Sequence, residues 1–380
     1  MIGVLLGIYL SELTLTASAI SLMVGIGLSG AALASLFVTF FSDSFGHRRA
    51  LLVITIFSFA GALLLAISSH PWVLAFAAFV GMVNGMGRDR GAALVVEQAA
   101  LPVTVADRER TMTFAKYNVL QDIGHATGSL CAALPSFIQS AGIAEGVTAF
   151  RWSILVYAVL SLLPMLAYAR LSSAIEISYI THTTRVSPET RNILIRISSL
   201  FALDSLGGGF LTTALLSFFF HERFGVGIET IGTLFFAARI ANAITHLVAA
   251  WLARRIGLVN TMVFTHIPSS ILLATVPLMP TFPVAASLFL LREGLVEMDV
   301  PTRQSYVMAV VRPEERTIAS GVTHLVRLAG WAVAPLLAGL LVTKESIALP
   351  IYIGALMKII YDIALWRSFR HLRPPEENGH

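Results

Sequence analysis

Phe41-Ser42-Asp43-Ser44-Phe45-Gly46-His47-Arg48-Arg49 is a polar interruption between two apolar runs, Ala17 to Phe41 and Ala50 to Ser68. Runs of that length cannot both be soluble core helices joined by so short a charged turn. They read as two membrane spans, with the turn as a tight loop on one membrane face.

The composition agrees. The 380 residues are 56% hydrophobic and only 13% charged, with a mean hydropathy of +0.79, whereas a soluble domain carries about 25% charged residues. The net charge of +4 is no nucleic-acid footprint, and no nucleic-acid partner is expected. The single cysteine, Cys131, excludes a disulfide framework and a Cys-based metal site; it reads as a packing residue. No metal and no cofactor is expected. Met1 to Leu10 lacks the basic region and small-residue cleavage site of a secretory signal.

The remaining chain repeats the opening scheme. A stub covers Met1 to Leu10, followed by spans Ala17–Phe41, Ala50–Ser68, Trp72–Ala99, Met112–Gln139 and Phe150–Ala169. The polar stretch beginning at Leu171 divides the chain. Beyond it come Ile193–Phe220, Ile228–Ala253, Leu258–Met279, Phe282–Val311, Thr317–Val342 and Ile347–Trp366. This is an all-α membrane protein of two six-helix pseudo-symmetric halves, with eleven full spans and the stub. The domains are residues 1–170, a cytoplasmic linker 171–192, residues 193–370 and a cytoplasmic tail 371–380. One set of alternate loops and the tail holds Arg48, Arg49, Arg108, Arg110, Arg170, Arg185, Arg191, Arg254, Arg255, Arg312, Arg316, Arg367, Arg370 and Arg373, whereas the opposite set holds only Arg151, Arg223 and Lys344. The basic loops, linker and both termini are therefore expected in the cytoplasm.

The two halves are also a repeat. Ile231 and Gly257 fall 211 positions after Ile20 and Gly46; Gln304, Val311, Glu315, Arg316, Thr317 and Gly330 fall 206 positions after Gln98, Val105, Glu109, Arg110, Thr111 and Gly124. Two parallel six-span halves are a transporter architecture. By the first offset, the partner of Ile193 would lie roughly 18 residues before Met1. Ten residues cover about 15 Å, half of a bilayer core of about 30 Å. The expectation is a segment upstream of Met1; the alternative is a broken first helix.

Twelve spans in two halves, with a charged motif between spans two and three, resemble the major facilitator superfamily. Its loop motif, Gly-x-Leu-Ala-Asp-Arg-x-Gly-Arg-Lys, is met here by Asp43, Gly46, Arg48 and Arg49, while Thr39 stands at the first Gly, Ser44 at the first Arg and His47 at a second basic residue. The resemblance implies charge contacts between the halves that stabilise an outward-facing state. In the second half the motif is echoed by Arg254-Arg255-Ile256-Gly257, with Arg254 opposite Asp43.

Ionisable groups deep in the spans are the candidate site, because each costs roughly 3 kcal/mol at a lipid-facing helix centre. Asp204, Asp122, Arg239, Arg292, Glu293 and Arg327 lie at similar depth, about 15 Å from their span ends. They are the expected coupling and substrate cavity. Asp204, followed by Gly207-Gly208-Gly209 where a helix can flex, reads either as carrier of a coupling proton or as a fixed ion pair with Arg239 or Arg292. The resemblance puts Asp122 and Arg239 on spans that adjoin across the halves. Asp43, Gly46, Arg48, Arg49, Arg88, Asp89, Glu97, Glu297, Asp299 and Arg303 are the expected cytoplasmic gate, with Pro301 bending the tenth span. His125, His246 and His324 read as hydrogen-bonded, and Phe218, Phe219 and Phe220 as lipid or packing surface.

The expected function is proton-coupled secondary transport of a small organic molecule by alternating access, in the direction of efflux, by a monomer in the cell membrane. Uptake of an anionic metabolite and a non-transporting membrane sensor are the alternatives. A membrane enzyme is disfavoured: the chain has no His-Glu-x-x-His pattern, nucleophile elbow or phosphate loop.

Overall fold

The computed structural model describes residues 1–15, 17–83, 91–171, 175, 186–211, 213–341 and 347–372, and every regular element among them is helical. In order they are α1 (Ile2–Glu12), α2 (Ala17–Phe45), α3 (His47–Ile67), α4 (Pro71–Val80), α5 (Ala92–Ala100), α6 (Arg110–Leu130), α7 (Leu134–Ser140), α8 (Gly146–Ser161), α9 (Leu163–Ala169), α10 (Pro188–Gly209), α11 (Thr213–Phe224), α12 (Ile228–Ile256), α13 (Leu258–Thr275), α14 (Phe282–Val296), α15 (Asp299–Val310), α16 (Arg316–Leu341) and α17 (Leu349–Phe369). Among the described residues, six stretches are long and apolar enough to cross a membrane: Leu22–Phe45, His47–Ile67, Gly146–Ala169, Thr230–Ile256, Leu258–Leu278 and Leu349–Phe369. Leu22, Phe37, Phe41, Trp251 and Leu356 on these helices are exposed, as a lipid solvent permits while each backbone bonds within its own helix.

Several spans read as continuous are broken. The tenth is interrupted between α14 and α15 at Glu297 and Met298. Pro301, four residues on, has no N–H for the Glu297 carbonyl and its ring would clash there. As the third residue of α15 it instead stands where an N–H has no helical partner anyway. The seventh span stops at Gly209, and α11 resumes at Thr213. The fourth ends as α4 at Val80 and restarts as α5 after Gly91, whose φ of 54° favours glycine. Gly91 and Glu297 are 206 positions apart, so α5 and α15 restart at nearly the same place in the repeat.

The chain forms two compact units, Met1–Thr104 with Ile123–Thr184, and Val105–Asp122 with Arg185–His380. In the first, α1 is anchored by buried Leu5, Leu6, Tyr9 and Leu10 against Leu65, Leu74 and Ile154, and the Tyr9 hydroxyl donates to the Leu65 carbonyl at 2.8 Å. Helix α2 lies backbone to backbone on the α4 segment: a Cβ on Gly27 would stand 1.8 Å from the Val83 oxygen, and one on Gly30 2.1 Å from the Phe79 oxygen. The turn into α3 is made by Gly46 at φ 97°, and its repeat partner Gly257 makes the turn into α13 at φ 89°.

The second unit has a core of aromatic rings, with Phe220 edge-on to Phe282 and Phe289. Phe219 and Phe220 are buried, as expected of packing residues. Helix α10 is capped by Ser187, whose Oγ accepts from the Thr190 N–H at 3.3 Å. Glu315, in the turn before α16, receives the Ser187 N–H at 2.6 Å and its hydroxyl at 3.1 Å, and Arg312 pairs with Glu189 at 3.0 Å. Burial alone would raise the Glu315 pKa, but hydrogen bonds from Thr190 and Ser187 and the nearby Arg312 charge outweigh it and hold the carboxyl below the usual glutamate range. A depressed pKa means stability that is present above about pH 4.5 and lost as pH falls through the folded value. Glu315→Ala should therefore cost about 1 kcal/mol near neutral pH, and the difference from wild type should shrink on acidification. Unfolding of the detergent-solubilised protein across that range checks it; a gap independent of pH would contradict it.

Candidate functional site

Four buried charges of the second unit meet at Asp204. Its Oδ1 accepts from Lys358 Nζ at 2.8 Å; its Oδ2 accepts from Arg327 Nη1 at 3.4 Å and Arg303 Nη1 at 3.5 Å. These residues come from α10, α17, α16 and α15. Close helix contact makes the reach possible. Three residues past Asp204, a Cβ on Gly207 would be 3.2 Å from the Gly354 oxygen, and Gly354 lies one turn before Lys358. On the α16 side, a Cβ on Gly330 would lie 2.1 Å from Ser205 Oγ.

The outer ring completes the balance. Asp299 bonds Arg303 one turn on in the same helix. His266 on α13 directs Nδ1 at both oxygens of Asp362, at 2.9 and 3.0 Å, while its Nε2 lies 3.4 Å from Lys358 Nζ. Phe201 faces the Arg303 and Arg327 guanidinium groups at 5.4 and 5.9 Å, and Trp331 faces Arg327 at 4.8 Å. Asp204, Asp299 and Asp362 thus offset Arg303, Arg327 and Lys358. The Arg327 side chain is 17% exposed, against 9% for Arg303 and Lys358.

This differs from the sequence reading in its partners. Asp204 was expected either alone or with Arg239 or Arg292, and instead it holds Lys358, Arg303 and Arg327. Arg303 and Asp299, expected in the gate, belong to the Asp204 cluster. Arg292 pairs with its neighbour Glu293, whose other oxygen accepts from Asn242 at 3.1 Å. Asp122 faces His246 Nε2 at 3.1 Å. Arg239 and Glu297 are half-buried.

In the first unit, Asp43 Oδ1 lies 2.8 Å from His47 Nε2, and His47 Nδ1 lies 3.0 Å from the Ile175 carbonyl. The buried ring thus ties Asp43 to the Ile175 backbone. Arg48 donates to the Ala169 carbonyl, Arg49 is exposed, and Glu97 accepts from the Tyr168 hydroxyl. Arg88 and Asp89 lie outside the described residues.

Sequence reasoning missed Lys358, Asp362 and His266. A signal was present: Lys358 is the only lysine in the apolar run Ile347–Trp366, and Asp362 follows four residues later. A depth of about 14 Å into α17 should have placed Lys358 beside the other mid-membrane charges.

A family model described as Major Facilitator Superfamily matches residues 1–327 and, in a second match, 197–380. In sequence, the chain is similar to an uncharacterized membrane protein of Saccharomyces cerevisiae, 24% identical over 394 residues, covering 95% of this chain and 88% of that protein. In structure, it is similar to the human organic anion transporter MFSD10 (TETRAN), with a TM-score of 0.71, 16% identity and coverage of 94% of this chain and 87% of that one. It is also similar to the proton:xylose symporter XylE bound to 6-bromo-6-deoxy-D-glucose (TM-score 0.74, 12% identity, 96% and 90% covered). A bacterial homologue of the iron transporter ferroportin gives a TM-score of 0.71 at 14% identity, with 96% and 98% covered. At these identities the solved structures share the fold.

Proposed function

We propose that this chain, which belongs to the Major Facilitator Superfamily, is a secondary active transporter that moves a small organic molecule across the cell membrane by alternating access. In this reading transport is coupled to protons and runs in the direction of export. The observation that carries it is the balanced charge cluster around Asp204. Three acids and three cations buried among apolar helices are costly to desolvate, and well-packed hydrophobic residues would stabilise such a site as well or better. Groups of this kind within membrane helices mark substrate or proton pathways. The fold shared with a proton:xylose symporter and an organic anion transporter supports the same reading. Export rests on the largely apolar character of the helices with scattered charges. The basic loops and both ends of the chain are proposed to face the cytoplasm, and the working form to be a monomer.

A second reading, carriage of an organic anion, is favoured by Arg327. Its one carboxylate, Asp204, is shared with two other cations, and its side chain is the most exposed in the cluster. Reconstitution tests both. The full chain in liposomes under an imposed pH gradient is expected to concentrate at least one solute of a panel of organic cations, neutral compounds and organic anions, and a proton ionophore should abolish the accumulation. Movement confined to anions, and lost in Arg327→Gln, selects the second reading. No solute movement across the panel contradicts both.

A further inference from the structure

The contacts around His266 assign a role to each ring nitrogen. A lysine ammonium has three N–H donors and no lone pair, so at the 3.4 Å contact with Lys358 Nζ the imidazole Nε2 must accept. The ring proton therefore sits on Nδ1, where it is shared by both oxygens of Asp362 at 2.9 and 3.0 Å. The resting imidazole is neutral, and its Nε2 lone pair accepts from a cation through a long contact. His266 and Asp362 are each 1% exposed. Histidine is the side chain whose ordinary titration falls in the physiological range, and here it sits next to a charge set that already balances.

We propose that the His266–Asp362 dyad between α13 and α17 is a proton-binding site, read by Lys358 and relayed to the Asp204 cluster. Uptake adds one proton to Nε2 and ends the Nζ–H···Nε2 hydrogen bond. Lys358 keeps its three protons. The imidazolium then holds Asp362 through a charge-assisted bond and faces Lys358 as a like charge. Among the described residues, Lys358 has one other partner, Asp204 Oδ1 at 2.8 Å. The Gly207–Gly354 contact holds α17 against α10 one turn away, so the displacement falls on the lysine side chain. Asp204 is the carboxylate that also holds Arg303 and Arg327, and a tighter hold on Lys358 loosens its claim on Arg327, the most exposed cation.

Among the described residues, the helices packed against α13 bring the following ionisable groups. Helix α13 contacts α12, α14, α15 and α17. On α14, Arg292 pairs with Glu293; on α15, Asp299 pairs with Arg303; on α12, His246 faces Asp122 and Arg239 is half-buried. On α17, Tyr361 stands edge-on to the His266 ring at 6.1 Å, with Lys358 and Asp362 on either side of it in sequence. Arg327 reaches the dyad from α16 by way of Asp204 and Lys358. The use of this site for coupling rests on the transport reading above, whereas proton binding itself does not.

The test needs no solute. Infrared difference spectra of the purified full chain in lipid nanodiscs, with ring-labelled histidine, are recorded between about pH 4 and pH 9. Among its ten histidines, wild type is expected to show one imidazole protonation, accompanied by a perturbed carboxylate band, that is missing from the spectrum of His266→Asn while the other histidine signals remain. In Asp362→Asn the same signal should need at least about tenfold more protons, and in Lys358→Gln at least about tenfold fewer. Identical spectra for wild type and His266→Asn overturn the proposal. Should His266→Asn fail to fold, opposite displacements in the other two variants support the site, and no displacement in either overturns it. A silent His266 leaves the transport reading standing; a titrating His266 in a chain that moves no solute leaves the proton site standing.

Discussion

Asp204→Asn is expected to destabilise the folded protein by about 3–5 kcal/mol, the cost of removing one partner from a buried ionic network. Asparagine keeps the volume and one acceptor but removes the charge that Lys358, Arg303 and Arg327 share. Arg303 retains Asp299, but Lys358 is left with an imidazole and Arg327 with two aromatic rings. Adding Lys358→Gln to Asp204→Asn should recover a large part of the loss, because the pair is removed together and the remaining charges come closer to balance. The difference between the double variant and the sum of the two singles is the coupling energy. Denaturant unfolding in detergent reads it. If Asp204→Asn costs less than about 0.5 kcal/mol, the size of an ordinary surface change, the cluster does not act as a unit.

The second large effect belongs to the first unit. Gly27→Ala and Gly30→Ala should each cost about 2–3 kcal/mol through overpacking, because the new methyl would stand 1.8 Å from the Val83 oxygen or 2.1 Å from the Phe79 oxygen. Both obstacles are backbone atoms, so no side chain can turn aside and α2 must move away from the α4 segment. Gly25 on the same helix is the control: nothing lies within 4 Å of its added Cβ. Gly25→Ala should be neutral or stabilising, since alanine is the better helix former. Thermal unfolding of the three variants separates the cases; equal midpoints would mean that α2 does not make this close contact.

The all-helical membrane fold was legible because apolar spans declare themselves by length and composition, and the 211- and 206-residue offsets pointed to a repeat. Gly46 and Gly257 were matched from sequence, and both adopt the left-handed backbone at equivalent turns. Helix breaks were only partly legible. Pro301 announced a bend, but the interruption falls four residues earlier because proline acts on the carbonyl of the preceding turn. The site was read for depth and not for direction. Asp204, Arg303 and Arg327 stood out as charges in apolar runs, but which of them meet depends on the rotation of four helices about their own axes. An apolar helix carries no polar face to report that rotation. Lys358 and Asp362 were hidden in a terminal span read only for its ends, and His266 lies in a helix with no other ionisable side chain.

The most direct test of the central claim is proton movement driven by solute. Full-length protein is reconstituted in liposomes that enclose a pH-sensitive dye, and each solute of the panel is added without an imposed pH gradient. If the cluster around Asp204 couples solute to protons, at least one solute will change the internal pH in wild-type vesicles, and His266→Asn will lose that change. A solute that crosses at the full rate with no proton movement in wild type would contradict the account.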